Sequence, residues 1–173
     1  MPKLYLFCFL IAALGVPDAA YSQERIIGRI THDGLEREYR LYVPAAYDGQ
    51  SPWPLVFNFH GFTSNAAQQE IYSNMNTVAD TAHFLVCYPE GIGNAWNVGW
   101  SFGSTADDVG FVDALIDSLS LAYELDAGRI YACGMSNGGF MSYRLACERS
   151  NRFAAIASVT GSMTRNYDCE PTR

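Results

Sequence analysis

Apolar runs of strand length alternate with helical segments along this chain, and no other feature restricts its possible folds as strongly. Residues 55–59 and 84–88 are two such runs, and between them Ser64 can cap a helix that continues to about Thr81. Strands that alternate with helices form mostly parallel sheets. The sequence therefore predicts an α/β fold, with a mostly parallel sheet and helices on both faces.

A hairpin precedes this alternation. Residues 25–31 and 38–43 are strand-like, and they are joined through Asp33 and Gly34. Asp-Gly between two strand-like runs is a strong hairpin signal. His32 is then most simply a turn residue.

The second half of the chain continues the alternating pattern. Thr105 and Asp108 resemble a capping box that opens a helix through Tyr123. We find no internal repeat and no linker, so a single domain is expected over residues 23–173. The remaining predictions are a strand at 129–133, a helix at 137–147 and a strand at 153–159.

The first 22 residues have the order of a secretory signal. Lys3 is followed by the apolar run 4–16 and by small residues that end at Ser22, as in a cleaved signal peptide. A retained membrane anchor is the alternative, but a bilayer span needs roughly 20 apolar residues. We expect a signal peptide at 1–22 and a secreted or periplasmic protein with no membrane association after cleavage.

The charge balance excludes some partners. The 173 residues carry 11 Lys and Arg against 18 Asp and Glu, a formal net charge of -7, and an acidic chain repels nucleic-acid phosphates. We therefore expect no nucleic-acid partner, and we expect no cofactor. We also expect no metal site, because Cys and His are not clustered at zinc-ligand spacing. The three histidines are scattered along the chain: His32, His60 and His83.

The cysteines are informative if the chain is exported. Cys87 and Cys133 lie inside apolar strand runs, where a thiol behaves as a small core residue. Cys147 and Cys169 could form a disulfide that closes a loop of ~20 residues and contributes about 3 kcal/mol. Spacing alone does not fix that pairing.

One motif carries candidate chemistry. Gly134, Ser136 and Gly138 form G-x-S-x-G directly between a predicted strand and a predicted helix, which is the context of a nucleophile elbow. Such a turn exposes the Ser136 hydroxyl and directs the N–H of Asn137 toward a developing oxyanion. The alternative is a glycine-rich packing turn in which the serine has no role.

A second segment fits the same chemistry. His60 and Gly61 follow a buried strand, where hydrolases with this elbow place their other oxyanion-hole donor. The candidate donor is the N–H of Phe62 or of the adjacent Thr63. We expect His60 to support this loop through hydrogen bonds rather than to act as a base.

Five motifs follow one another in order along the chain: NFHGF (58–62), YPEG (88–91), WNVGW (96–100), DDVGF (107–111) and GMSNGG (134–139), the last followed by YRLAC (143–147). Together they resemble the secreted polyhydroxybutyrate depolymerase and feruloyl esterase group of α/β-hydrolases. The resemblance implies a carboxylic ester hydrolase that forms an acyl-enzyme on Ser136 and acts on polymeric or plant cell-wall esters, and it implies pairing of Cys147 with Cys169.

The chain departs from this group after Ser136. In α/β-hydrolases the order is Ser, acid, His, but no histidine follows Ser136. Loss of the histidine costs on the order of 10⁶ in kcat. We therefore expect a fragment that lacks the triad acid and histidine, with a fold incomplete at its C-terminus and very little activity.

Two tryptophans are candidates for substrate binding. Trp96 and Trp100 lie in the loop after a strand's carboxyl end, where ligands bind in open α/β sheets. They could stack on a substrate or hold the loop against the domain.

The alternatives to an esterase are a serine peptidase of the prolyl-oligopeptidase type and a non-catalytic binding module.

Overall fold

The computed structural model describes residues 23–164 and 169–172, and the predicted signal peptide lies outside them. Its centre is a six-stranded sheet in the order β1-β2-β4-β3-β5-β6. The β1–β2 and β2–β4 pairs are antiparallel, whereas β3–β4, β3–β5 and β5–β6 are parallel. The strands are β1 (Glu24–His32), β2 (Leu35–Val43), β3 (Trp53–Phe59), β4 (Leu85–Pro89), β5 (Leu125–Met135) and β6 (Ala155–Val159).

Helices cover both faces of the sheet, as predicted. Leu85 and Cys87 of β4 pack in the larger core with α3 and α4, whereas Val86 and Tyr88 pack on the opposite face with α1 and α2. Side chains alternate between the two faces along a strand, so β4 is buried from both sides. The helices are α1 (Ala66–Ser73), α2 (Met75–Ala82), α3 (Asp108–Ala122) and α4 (Asn137–Glu148), with a 3₁₀ turn at Ile92–Asn94.

The prediction of one helix from Ser64 to Thr81 is wrong. Asn65, not Ser64, caps α1 by accepting a hydrogen bond from the N–H of Gln68. Asn74 then adopts a left-handed conformation with φ 46° and separates α1 from α2. Serine and asparagine are both good caps, and asparagine tolerates positive φ better than most residues, so local sequence did not decide either point.

The predicted start of α3 is also wrong. Asp107, not Thr105, is the N-cap and accepts a hydrogen bond from the N–H of Gly110 at 3.0 Å. Asp108 points into the core instead of completing a capping box. His32 is the last residue of β1 rather than a turn residue, and its Nε2 lies 3.0 Å from Asp107 Oδ2.

The cysteine predictions are confirmed, with one difference in burial. Cys147 and Cys169 form a disulfide, Cys87 is fully buried, and Cys133 is half-buried.

Val159, at the end of the edge strand β6, is 59% exposed. Over residues 23–164 and 169–172, the helices fall short of the length and apolarity that crossing a bilayer requires.

Candidate active site

Ser136 lies in a sharp turn between β5 and α4. Its backbone has φ 52° and ψ -117°, a sparsely populated conformation that persists only when the surroundings impose it. The N–H of Ser136 donates to the Val159 oxygen at 2.8 Å, and its carbonyl accepts from the N–H of Phe140 at 3.0 Å. The turn is thus fixed by β6 on one side and by α4 on the other.

Two glycines let this turn sit close to the sheet. A Cβ on Gly138 would collide with the main chain of Phe59, and a Cβ on Gly134 would collide with the main chain of Gly138. Any side chain at either position would push α4 away from the ends of β3 and β5. These contacts place Ser136 at the carboxyl edge of the parallel strands.

The segment after β3 lies against Ser136. A Cβ on Gly61 would stand 3.6 Å from the Cβ of Ser136. The N–H of Thr63 already donates to the Asn94 oxygen at 2.9 Å, which leaves Phe62 as the candidate donor in this segment. Asn137 is the first residue of α4, where backbone N–H groups have no partner within the helix.

His60 supports this segment and is fully buried. Its Nδ1 lies 2.8 Å from the Gly61 oxygen, and its Nε2 accepts the N–H of Gly91 at 3.0 Å. An accepting Nε2 carries no proton, so the ring is neutral with its hydrogen on Nδ1. Burial lowers the pKa of His60 below its usual value, which favours the same neutral form. With both nitrogens occupied, His60 is not available as a base.

Trp96 does not face a substrate, and that prediction is wrong. Its side chain is 1% exposed, its indole N–H donates to the His60 oxygen at 2.9 Å, and its ring lies edge-on to Phe59. The alternative, that Trp96 holds the long loop against the domain, is what these contacts show. Packing against Phe59 and His60 buries a ring that a loop sequence alone would leave in solvent.

Trp100 belongs to an exposed group of aromatic rings, which we name the aromatic patch. It consists of Trp100, Phe62, Phe102 and Phe140. Trp100 lies 5.1 Å from both Phe102 and Phe140, and Phe62 lies 5.6 Å from Phe102, measured between ring centroids. Phe62 is 42% exposed and Phe102 59% exposed. The patch therefore exposes aromatic surface on the segment after β3 and on the loop that follows β4.

Three segments that build the turn and its flanking loops in the described part of the chain carry no charged side chain. Residues 61–69, 91–106 and 130–143, which form the loops and turn described above, contain no Asp, Glu, Lys or Arg. His60 is neutral as well. These loops thus offer a ligand no charged side chain, and the aromatic patch makes this edge suited to an uncharged, apolar group.

Sequence reasoning missed a buried ion pair behind the site. Asp108 was expected to complete a capping box at the start of α3, but it is fully buried and its Oδ1 lies 2.6 Å from Arg37 Nη2. A signal was present, because Asp108, Val112 and Leu115 fall at i, i+4 and i+7 on the buried face of α3. An acidic residue on an apolar stripe indicates a buried partner.

The histidines and acids do not form a triad with Ser136 among the residues that the structure describes. His32 pairs with Asp107, His83 packs edge-on against Trp53, and His60 is committed to its own loop. Over the same residues, no three His, Cys, Asp or Glu side chains come close enough to hold a metal ion.

The chain is similar in sequence to proteins that are named as esterases. It is 36% identical over 138 residues to NocK of Nocardia uniformis subsp. tsuyamanensis, which its name describes as an esterase, covering 75% of this chain and 39% of that protein. It is 31% identical over 139 residues to feruloyl esterase C of Emericella nidulans, covering 76% of this chain and 49% of that protein. The chain thus spans less than half the length of either relative.

The fold agrees with this similarity. S-formylglutathione hydrolase of Staphylococcus aureus superposes with a TM-score of 0.64 at 14% identity, over 77% of this chain and 55% of that one. The α/β-hydrolase fold that the motifs implied is therefore confirmed. The sequence model of the family described as Esterase PHB depolymerase matches residues 37–167. With that match and this fold, the chain belongs to the Esterase PHB depolymerase family.

Proposed function

We propose that this protein is a secreted carboxylic ester hydrolase that works through an acyl-enzyme on Ser136. The observation that carries the proposal is the backbone of Ser136, held at φ 52° between two close-packed glycines and next to the Gly61–Phe62 segment. Such a constrained turn is typical of a nucleophile elbow. The esterase names of two relatives at 36% and 31% identity support the reaction class.

In the proposed reaction, Ser136 Oγ attacks the ester carbonyl while a general base takes its proton. The N–H groups of Phe62 and Asn137 stabilise the negative charge that forms on the carbonyl oxygen. The ester C–O bond then breaks, the leaving alcohol takes the proton, and water hydrolyses the acyl-enzyme by the same steps.

The base is not among the three histidines of this chain, since each has other contacts. We propose that a histidine outside these 173 residues, oriented by an acid, completes the triad. The 173 residues alone would then have very little activity, because the oxyanion hole and substrate binding by themselves provide only a small fraction of the catalytic rate.

The aromatic patch and its uncharged surroundings favour an apolar acyl or polymer chain as substrate. Trp100 retains its proposed role in substrate binding, now together with Phe62, Phe102 and Phe140. Aromatic faces of this kind bind rings and hydrocarbon chains. Polyester and cell-wall esters, feruloyl or acetyl, are the substrate classes proposed, and either can be part of a polymer.

Secretion is supported by two features. The Cys147–Cys169 disulfide persists in oxidising compartments, and residues 1–22 have the pattern of a signal peptide. We propose cleavage near Ser22 and a mature domain that begins at about residue 23.

Labelling with a fluorophosphonate tests the proposal directly. We expect the complete gene product to be labelled and to hydrolyse p-nitrophenyl acetate and methyl ferulate. The Ser136→Ala variant should lose both properties, whereas Ser118→Ala, on α3 and away from the turn, should keep both. Labelling with cleavage of aminoacyl amides but not of esters would favour the peptidase. Absence of labelling would leave a binding module.

A further inference from the structure

Trp96 joins the two segments that carry the candidate oxyanion-hole donors. We propose that Trp96 is a positioning residue: it holds the N–H groups of Phe62 and Asn137 in register without touching the substrate. This inference rests on the proposed function, in which these two groups bind the oxyanion. It assigns a role to a buried tryptophan that the reaction itself does not use.

The first connection runs to the start of α4. The N–H of Trp96 donates to Asn137 Oδ1 at 2.7 Å, and Asn137 Nδ2 donates back to the Trp96 oxygen at 3.3 Å. Both residues are buried, at 1% and 0% exposure. The reciprocal pair satisfies both polar groups of the Asn137 amide, so it fixes the first residue of α4 against the loop.

The second connection runs to the segment after β3. The indole N–H of Trp96 donates to the His60 oxygen at 2.9 Å, two residues before Phe62. His60 is tied to the same loop a second time, because its Nε2 accepts the N–H of Gly91. One loop therefore holds both donor segments.

The loop that contains Trp96 is also bonded to α3 and, through it, to β2. The N–H of Asn97, next to Trp96, donates to Asp108 Oδ2 at 2.7 Å, while Asp108 Oδ1 pairs with Arg37. The guanidinium of Arg37 lies 3.8 Å from the centroid of the Phe111 ring and donates to the main-chain oxygen of Glu90. This buried pair links the strand β2, the helix α3 and the loop, so Trp96 is anchored to the rigid part of the fold.

The consequence follows from how oxyanion holes work. Their donors must be preorganised for the charge that develops in the transition state, and loss of one donor costs about 10²–10³ in kcat. A residue that only positions the donors changes transition-state binding more than substrate binding. Its loss therefore lowers kcat and leaves KM nearly unchanged.

Trp96→Phe is the informative variant, because it removes the indole N–H and keeps an aromatic ring and the main-chain bonds. Trp53→Phe is the matched control, since Trp53 packs against Tyr47 and His83 and is the first residue of β3, at the opposite end of the strand from the turn. Both are made in the complete gene product. Active sites are counted with a fluorophosphonate, so that a loss of folded protein is not read as a loss of rate.

Two ligands separate positioning from simple packing. A boronic acid that adds to Ser136 mimics the oxyanion, whereas a carboxamide of the same acyl group mimics the ground state. In Trp96→Phe we expect kcat per labelled site and boronate affinity to fall together by about 10- to 100-fold, with KM and carboxamide affinity within twofold. Trp53→Phe should match the wild type. Unchanged kcat per site, or equal losses for both ligands, would overturn the proposal.

Hydrogen exchange keeps the inference testable if the wild type proves inactive. An unlabelled wild type would contradict the proposed function, not the positioning. In that case the N–H groups of Gly91 and Asn97 report on the loop, since they bond to His60 and Asp108. We expect their exchange to quicken at least tenfold in Trp96→Phe. Exchange equal to that of the wild type would show that Trp96 holds nothing in place.

Discussion

The main-chain oxygen of Phe59 occupies the space that a side chain on Gly138 would need. Gly138→Ala should therefore move the start of α4 and cost about 1–3 kcal/mol of unfolding free energy, as overpacking does. Fluorophosphonate labelling of Ser136 should fall with it. Urea denaturation measures the first effect. Gly128→Ala is the control, because Gly128 is exposed and meets only the end of the Asp126 side chain; equal losses in the two variants would contradict the close-contact argument.

Removing one partner of the buried ion pair should be costly. Asp108→Ala leaves the Arg37 guanidinium buried without its carboxylate, and we expect a loss of about 3–5 kcal/mol in the free energy of unfolding. Asp117→Ala removes a largely exposed partner of Arg152 and should cost under about 1 kcal/mol. Denaturant titrations of both variants make the comparison. Similar values for the two would mean that Asp108 is not desolvated in solution.

The stability of the fold should depend on the protonation of His60. Burial lowers its pKa in the folded protein below the ordinary 6.5, so the unfolded chain takes up a proton at higher pH. The stabilisation from neutral His60 is then complete above about pH 6.5 and is lost as the pH falls through the lower folded pKa. The free energy of unfolding should drop between pH 7 and pH 5, and His60→Gln should flatten that drop.

Glu90 should change the stability with pH in the direction opposite to His60. Burial raises its pKa above the ordinary value of 4.5, so its contribution is complete below pH 4.5 and is lost as the pH rises through the folded pKa. This opposes the effect of His60 in the pH range just above 4.5. Glu90→Gln should therefore steepen the loss of stability as the pH falls toward 4.5. A shallower loss would mean that the carboxyl of Glu90 is not shifted upward.

Opening the disulfide should destabilise the domain. Cys147 and Cys169 are 22 residues apart, and a crosslink over a loop of that length contributes about 3 kcal/mol by restricting the unfolded chain. The paired Cys147→Ser, Cys169→Ser variant should lose that amount in urea denaturation. Wild-type protein in dithiothreitol should unfold at the same denaturant concentration as the variant. A reduced wild type as stable as the oxidised one would contradict the expectation.

The sequence predicted the layers of the fold and the position of Ser136 because both depend on local patterns. The Asp33–Gly34 hairpin, the apolar strand runs and the glycines around Ser136 each act within a few residues. Errors came where two residues of similar preference are adjacent. Ser64 and Asn65 can both cap a helix, and only the packed structure selects Asn65.

The supports of the site could not be predicted, since they depend on contacts between distant parts of the chain. Trp96 meets Asn137 across 41 positions, and Arg37 meets Asp108 across 71. Nothing near Trp96 in the sequence distinguishes a buried ring from an exposed one. Its burial is decided by where the loop folds back, which is a property of the whole domain.

The disulfide also has a consequence for a chain that is cut. A protease that cleaves one peptide bond between Cys147 and Cys169 would leave the two pieces covalently joined. The nicked molecule would keep its mass, increased only by the water of hydrolysis, and would separate into two chains on a gel only after reduction. The helix that begins at Asn137 would thereby stay attached to the residues beyond the cut, even in a compartment rich in proteases.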